Sequence, residues 1–102
     1  MKRKEKQLKD MDPMDLHKYL CVKIHDTCVK KNKDYGNSVT QTYKKYGMVA
    51  YLVRMEDKIN RVKSLTVDNN DKLVNDESVI NSLIDLSNYA LLAAIDLIKE
   101  GE

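Results

Sequence analysis

Residues 75–99 read NDESVINSLIDLSNYALLAAIDLIK, and this stretch decides the fold class. Apolar and small side chains recur in it at intervals of three and four residues, the spacing of one side of an α-helix. That side comprises Ile80, Leu83, Ser87, Ala90, Ala94 and Ile98. The stretch therefore predicts a long helix from residue 75 or 76 to about residue 99.

Two further helices are predicted upstream of this stretch. One spans about residues 48–65 and has a stripe that faces the core. The stripe comprises Leu52, Met55, Ile59 and Val62. A shorter helix runs from residue 39 to 46 and is stopped by Gly47, because glycine readily ends a helix. Residues 66–75, which contain DNND, are predicted to form a loop.

The first helix is predicted to begin at Asp12-Pro13, because aspartate caps free amides and proline suits the first helical position. It runs to about Lys33 and carries one apolar stripe. The stripe comprises Leu16, Leu20, Ile24 and Cys28. The following turn contains Gly36, which tolerates positive φ, and Ser38, which is suited to capping the next helix.

Composition agrees with an all-α fold. The 102 residues include three glycines, one proline and six aromatic residues, all of them tyrosine, which is too little for a multi-stranded sheet. The predicted fold is a small bundle of three long helices and one short helix. It forms a single domain over residues 12–102 after a flexible basic arm over residues 1–11. A core without Phe or Trp is thin, so self-association is expected.

Charge is unevenly distributed along the chain. The net charge is +2, yet residues 66–102 carry two basic and eight acidic side chains, so the basic groups are concentrated in residues 1–65. No stretch reaches the roughly 18 uninterrupted apolar residues of a membrane span. Residues 11–15 are not the apolar segment of a signal peptide. A cytoplasmic protein without a membrane partner is expected.

Histidines and cysteines recur on the first helix at His17, Cys21, His25 and Cys28. Eleven residues of helix rise about 16 Å, so one zinc ion cannot reach all four side chains. Two of them could form half a site, but no further Cys or His exists to complete it. A disulfide is excluded too, because two helical turns separate the cysteines by about 10 Å. Reduced thiols are therefore predicted.

Carboxylates and amides lie on two predicted helices. The third helix carries Glu56, Asp57 and Asn60, and the last helix carries acids and amides at intervals of four, four and three. The latter are Glu77, Asn81, Asp85 and Asn88. Two such helices can together hold Mg²⁺, which prefers oxygen ligands. The alternative is that Glu56 and Asp57 pair with nearby bases, while Asp85 meets a Lys or Arg across a helix interface.

Basic side chains form a third group. They surround Tyr35-Gly36 and recur in the next two helices. The group comprises Lys30, Lys31, Lys33, Lys44, Lys45, Arg54, Lys58 and Arg61. Tyr35 could stack on a base while the basic groups meet phosphate. The alternative is a solvated helix end and turn.

Four segments resemble the nucleotide modification associated domain 1 family, a group of small proteins found in phages and bacteria. The segments are KNKDYGNS at 31–38, YKKYG at 43–47, VRMEDKINR at 53–61, and DES at 76–78 with DLSNY at 85–89. The resemblance covers roughly residues 14–98, and four motifs in the same order make it specific. The resemblance implies that the protein is located in the cytoplasm of a bacterium or of a phage-infected cell.

That family in turn resembles the all-α NTP pyrophosphatases, the MazG-like and dimeric dUTPase-like enzymes. This resemblance implies a helical bundle that forms dimers or tetramers and binds Mg²⁺ through E-x-x-E and E-x-x-D motifs. Glu56 and Asp57 stand near the first motif, and Asp85 matches the acid of the second. Neither motif is complete, because Ile59 follows Glu56 at three and Ser82 precedes Asp85 at three, so weaker Mg²⁺ binding is expected.

The favoured hypothesis is a Mg²⁺-dependent nucleotide pyrophosphohydrolase that converts a nucleoside triphosphate to monophosphate and pyrophosphate. Glu56, Asp57 and Asp85 would hold the metal and serve catalysis, with Glu77, Asn81 and Asn88 as further ligands. Substrate would be bound by Lys31, Lys33, Tyr35, Arg54, Lys58 and Arg61. Metal would lower the pKa of an attacking water, and the basic groups would offset charge on the leaving pyrophosphate.

Two alternatives stay open. One is a non-catalytic module that binds a nucleotide, a nucleic acid or another protein and serves phage DNA modification or host interference. Nucleic acid is the less favoured partner in this reading. The other is a helical scaffold that dimerises through residues 89–98.

Overall fold

The computed structural model describes residues 8–35, 38–68 and 76–101, with side chains up to residue 32 in the first range. Regular structure in these ranges is helical throughout, without a strand, which confirms the all-α class. By internal contacts the chain forms two compact units, residues 1–36 and residues 37–102. That the domain begins at residue 12 stays a prediction.

Helix α1, Pro13–Tyr35, accounts for most of the first unit. It begins where the sequence predicts, because a side-chain oxygen of Asp12 accepts a hydrogen bond from the Met14 amide at 3.0 Å. Ile24 on the predicted stripe is buried, and Cys28 is half-buried. The helix ends two residues beyond the predicted end at Lys33. The turn prediction for Gly36 falls outside the described residues.

Helices α2, Ser38–Tyr46, and α3, Val49–Leu65, are joined by Gly47 and Met48. Gly47 has a φ of 77°, and its amide donates to the Tyr43 carbonyl at 2.6 Å. A glycine in this left-handed conformation ends α2, as the sequence predicts. Ser38 is the first residue of α2, and its carbonyl accepts a hydrogen bond from the Thr42 hydroxyl at 2.9 Å.

Helix α4, Asp76–Glu100, packs along α3, and α2 packs against α3 as well. Tyr51 on α3 contacts Asp96, whereas Lys58, two turns later, contacts Asp85. Since the contacts move backwards along α4 as they advance along α3, the two helices are antiparallel. The core of this unit consists of Tyr43, Tyr51 and Ala93, with Val39, Met48, Met55 and Leu92 packed around them.

The core-facing side of α3 differs from the predicted stripe. Leu52 and Ile59 are each 52% exposed, so the prediction was wrong for these two residues. The side that meets α4 instead carries Tyr51 and Lys58, two residues with long apolar stems and polar tips. A hydropathy pattern gives most weight to aliphatic residues. It therefore assigned Leu52 and Ile59 to the core-facing side of α3.

The apolar side of α4 is turned away from the core. Its large residues are about half exposed or more, whereas Ser82, Ala93 and Asp96 are buried. By length and composition α4 is the one described helix apolar enough to cross a membrane, and few residues of its most apolar part are buried. The helix predicted from residues 75–99 therefore exists, but its apolar residues are largely exposed.

Candidate functional site

One ion pair joins α3 and α4 at the level of the predicted site. The Lys58 ammonium lies 3.2 Å from a carboxylate oxygen of Asp85, and the two side chains are 28% and 40% exposed. This contact confirms the expectation that Asp85 meets a basic residue across a helix interface. Because both groups remain open to solvent, the lysine is held in place yet is accessible to a ligand.

Two arginines of α3, Arg54 and Arg61, lie on either side of Lys58. Arg54 lies one turn before Lys58, and its guanidinium carbon is 5.9 Å from the centre of the Tyr89 ring on α4. Arg61 lies one turn after Lys58 and is exposed. Since intervals of four and three keep residues on one side of a helix, Arg54, Lys58 and Arg61 form a basic row.

Oxygen and amide groups of α4 lie beside the basic row. Asn81, Asp85 and Asn88 share one side of α4, since their intervals are also four and three. Asn81 is exposed and Asn88 half-buried. The contact between Lys58 and Asp85 brings the two rows to the same edge of the helix pair. The edge therefore offers cationic donors on α3, and on α4 two neutral amides with the Asp85 carboxylate between them.

The acidic residues predicted to hold Mg²⁺ are not brought together. Glu56 and Asp57 are both exposed on α3. Glu56 lies about 160° around α3 from Lys58, the residue that meets Asp85, and Asp57 about 100° from it. Within the part of the chain that the structure describes, no three Asp, Glu, His or Cys residues are grouped to hold a metal. The described residues of one chain therefore offer Mg²⁺ no cluster of three such ligands.

A second polar cluster, at the other end of the helix pair, is buried. Asp96 accepts hydrogen bonds from the Thr40 hydroxyl, 3.2 Å from each carboxylate oxygen, and from the Tyr51 hydroxyl. Tyr43 packs its ring against Tyr51 at 5.7 Å and donates its hydroxyl to Glu100 at 2.8 Å. Helices α2, α3 and α4 are thus joined through one aspartate.

Both tyrosines of this buried cluster are held neutral. Burial raises the pKa of Tyr51 well above its ordinary value of 10.0, and its hydrogen bond to Asp96 raises it further. The hydrogen bond to Glu100 raises the pKa of Tyr43, with burial adding to it. Neutral hydroxyls donate to the carboxylates, which is how Asp96 is satisfied without a described cation beside it.

Sequence reasoning did not identify this buried cluster. A signal was present, because Asp96 interrupts the apolar run from residue 89 to 95. An aspartate within so apolar a helix needs a polar partner when it is buried. What the sequence does not show is which hydroxyl groups reach it, since Thr40 and Tyr51 lie 56 and 45 residues away.

A shallow cavity of about 550 Å³ lies on α2. It is lined by Ser38, Gln41, Thr42, Lys44, Lys45 and Tyr46. Tyr46 is 66% exposed, and the Lys45 ammonium is 5.9 Å from the centre of its ring. The lysines were part of the predicted basic group, whereas Tyr46 was not. This α2 cavity is a second surface with the groups that phosphate and a base require.

Glu77 is exposed in the first turn of α4, and the other remaining predicted residues lie in the first unit. Lys31 is exposed near the end of α1, and the side chains of Lys33 and Tyr35 lie outside the described ones. Both cysteines are free, as predicted, and the Cys21 sulfur lies 3.9 Å from Nδ1 of His17. The described residues contain no grouping for zinc either.

Comparison with known proteins gives one match. The family model described as "Nucleotide modification associated domain 1" matches residues 31–97, a range that contains α2, α3 and all but the last turn of α4. No curated protein and no solved structure matches the chain. The matched range includes the basic row, the α2 cavity and most of the buried cluster.

Proposed function

This chain belongs to the nucleotide modification associated domain 1 family, and from that premise we propose that it binds nucleotides through the basic row on α3. The observation that carries the proposal is the contact between Lys58 and Asp85. It restrains a lysine on an open edge, between two arginines of the same helix. Phosphate groups of a nucleotide are the ligands that suit such a row.

The cations of the row are partly ordered before a ligand arrives. Arg54 rests over the Tyr89 ring, and Lys58 is tied to Asp85. A side chain that is already restrained loses less conformational freedom on binding. The row rises about 10 Å along α3 from Arg54 to Arg61, which suits several phosphates rather than one.

The amides of α4 complete the proposed site. Asn81 and Asn88 each carry a donor and an acceptor, which is what hydrogen bonding to the edge of a base requires. They lie on the same side of α4 as Asp85. In this arrangement the phosphates lie along α3 while the base lies towards α4.

Calorimetric titration of the full chain with a panel of nucleoside triphosphates tests this proposal. The double variant Lys58→Gln/Arg61→Gln is expected to weaken binding by about tenfold or more. Its matched control, Lys44→Gln/Lys45→Gln, removes the same charge from the α2 cavity and is expected to change affinity by about twofold or less. A loss confined to the control would move the site to the α2 cavity and contradict the proposal, as would no binding by the unmodified chain.

A second candidate is Mg²⁺-dependent release of pyrophosphate from the bound nucleotide. The Lys58–Asp85 contact favours this candidate, because Glu56 and Asp57 precede Lys58 in the segment of α3 that lies next to Asp85 on α4. The described residues of one chain bring no three acidic, histidine or cysteine side chains together, so no step of such a reaction is assigned to them.

Asp85→Asn separates the two candidates. If Asp85 serves only to pair with Lys58, the variant removes a negative charge from beside the phosphates. This gain is expected to exceed the loss of the restraint on Lys58, so that nucleotide binds two- to threefold more tightly, an effect of about 0.5 kcal/mol. If Asp85 is a metal ligand, the variant loses pyrophosphate release and Mg²⁺-dependent binding. The readouts are calorimetry and pyrophosphate detection, each with Mg²⁺ and with a chelator. The absence of pyrophosphate release by the unmodified chain would contradict the second candidate.

A further inference from the structure

The α2 cavity combines an open aromatic ring with two adjacent lysines. Tyr46 is 66% exposed, and the Lys45 ammonium lies 5.9 Å from the centre of its ring. Lys44 and Lys45 are both exposed in the last turn of α2. At this exposure the Tyr46 ring contributes little to the core, so its surface remains available to a ligand.

The α2 cavity is free of acidic side chains. Residues 38–55 contain no Asp or Glu. Asp96 and Glu100 reach α2 on its buried side, where they accept hydrogen bonds from the hydroxyls of Thr40 and Tyr43. The lining of the cavity itself includes no acidic residue. Its lysines can therefore meet an anion without competition from a carboxylate in the lining.

The lysines and the ring are spread across the exposed side of α2 and do not converge on one point. At 100° per residue, Lys44 lies on one side of Lys45 and Tyr46 lies on the other. A free nucleotide, with its phosphates joined in one group, would contact part of this surface. A strand that carries a phosphate on each nucleotide would cross all of it, so the spacing favours a polymer of nucleotides.

We propose that the α2 cavity binds single-stranded nucleic acid, with one base stacked on the Tyr46 ring and phosphates of the strand at Lys44 and Lys45. Stacking on aromatic side chains and a positively charged surface along the backbone are how proteins bind single strands without reading their sequence. A duplex is disfavoured, because neighbouring base pairs cover the faces of its bases. DNA and RNA both supply the required groups.

This site is separate from the proposed nucleotide site. The proposed nucleotide site uses residues of α3 and α4, whereas the α2 cavity is lined by residues of α2 alone. The two proposals can therefore fail independently. A chain that binds nucleoside triphosphates but no oligonucleotide would contradict the single-strand site and leave the proposed function intact.

Fluorescence anisotropy of a labelled oligothymidylate of about 12 nucleotides, titrated with the full chain, tests the stacking contact. Tyr46→Ala is expected to weaken binding by about tenfold, because the base loses its platform. Tyr46→Phe is the conservative variant and is expected to bind within about twofold of the unmodified chain, because a phenyl ring also stacks. Since Tyr46 is exposed, both variants are expected to fold. Unchanged affinity in Tyr46→Ala would overturn the proposal.

The salt dependence of the same titration tests the phosphate contacts. Lys45→Gln is expected to reduce the slope of log affinity against log salt concentration by about 0.7, the contribution of one phosphate contact to a single strand. Lys63→Gln is the matched control, because Lys63 is also an exposed lysine in the last turn of its helix, and it is expected to leave the slope unchanged. Equal reductions in the two variants would show attraction to the charge of the whole chain and would overturn the proposal.

The choice of ligand completes the test. An oligouridylate of the same length gives the RNA arm, and binding of either oligonucleotide at protein concentrations up to about 100 µM supports the proposal. A duplex of the same length is expected to bind more weakly than the single strand, and tighter binding of the duplex would overturn the proposal. Thymidine triphosphate that displaces the strand at equal nucleotide concentration would also overturn it, by making a free nucleotide the ligand. So would unchanged anisotropy with both oligonucleotides.

Discussion

Asp85 and Asp96 lie eleven residues apart on the same helix, yet they are satisfied in opposite ways. Asp85 is 40% exposed and pairs with the charged Lys58, whereas Asp96 is 9% exposed and accepts hydrogen bonds from neutral hydroxyls. The first leaves a cation accessible at the surface. The second joins three helices through groups that no ligand reaches. We propose that the end of the helix pair with Asp85 binds a ligand, whereas the end with Asp96 stabilises the fold.

The interactions of Asp85 and Asp96 differ in energy because Asp85 is exposed to water and Asp96 is buried. A pair of opposite charges in water is screened and contributes about 0 to 1 kcal/mol, because each ion is already well hydrated. A buried carboxylate that loses a donor keeps its desolvation cost without compensation, which amounts to about 1 to 3 kcal/mol. Substitutions at the buried cluster should therefore change the free energy of unfolding, and substitutions at the basic row should change ligand affinity.

The largest expected effect is that of Tyr51→Ala. It removes a fully buried ring that packs against Tyr43, together with a donor to Asp96. We expect the free energy of unfolding to fall by about 3 to 5 kcal/mol, measured by urea denaturation. Tyr46→Ala serves as the control, because Tyr46 is exposed, and should change it by about 0.5 kcal/mol or less. Equal losses in both variants would remove the distinction between the two regions.

Tyr51→Phe isolates the hydroxyl from the ring. The ring packing stays, while Asp96 is left with Thr40 as its remaining described donor. The expected loss is about 1 to 3 kcal/mol in the free energy of unfolding. A loss close to zero would mean that the carboxylate does not depend on this donor.

The buried cluster should also make stability depend on pH. Because the pKa of Tyr51 is raised in the folded state, the unfolded chain ionises first as the pH passes 10.0, and stability falls from there upwards. Below that pH the contribution of the neutral hydroxyl is complete. We expect the unmodified chain to be more stable than Tyr51→Phe by a smaller margin at about pH 10.5 than at about pH 8. Urea denaturation at each pH measures this margin. An unchanged margin at high pH would contradict the prediction.

The smallest effect on stability is expected at the ion pair. Lys58→Ala and Asp85→Asn should each change the free energy of unfolding by about 1 kcal/mol or less, since both side chains are partly exposed. The double variant gives their coupling energy, which we expect to be about 0.2 to 1 kcal/mol. A coupling of several kcal/mol would show that this pair supports the fold as Asp96 does.

Helix positions are predictable from this sequence to within two residues. Asp12-Pro13 begins α1 and Gly47 ends α2, because capping and positive φ are local properties of single residues. Which side of each helix is buried is less predictable. The long stems of Tyr51 and Lys58 pack against α4, and a pattern of aliphatic residues does not reveal them.

The candidate site was also predicted only in part from the sequence. The residues of the basic row were identified from their type and spacing, and so was the pairing of Asp85 with a base across a helix interface. The grouping of Glu56 and Asp57 with Asp85 was not borne out among the described residues, since the side of α3 that meets α4 differs from the predicted one. A rotation of about 100° around one helix is enough to separate a predicted ligand from its partner.

The all-α class, the ends of the helices and the family follow from the amino-acid sequence, because they depend on local propensity and on residues close together in the chain. The tertiary structure decided which carboxylate is buried and which is exposed. Asp96 finds its hydroxyl partners 45 and 56 residues away, and Asp85 finds Lys58 on another helix. Such pairings depend on the rotation and register of packed helices, and those are set by all the contacts of the interface together.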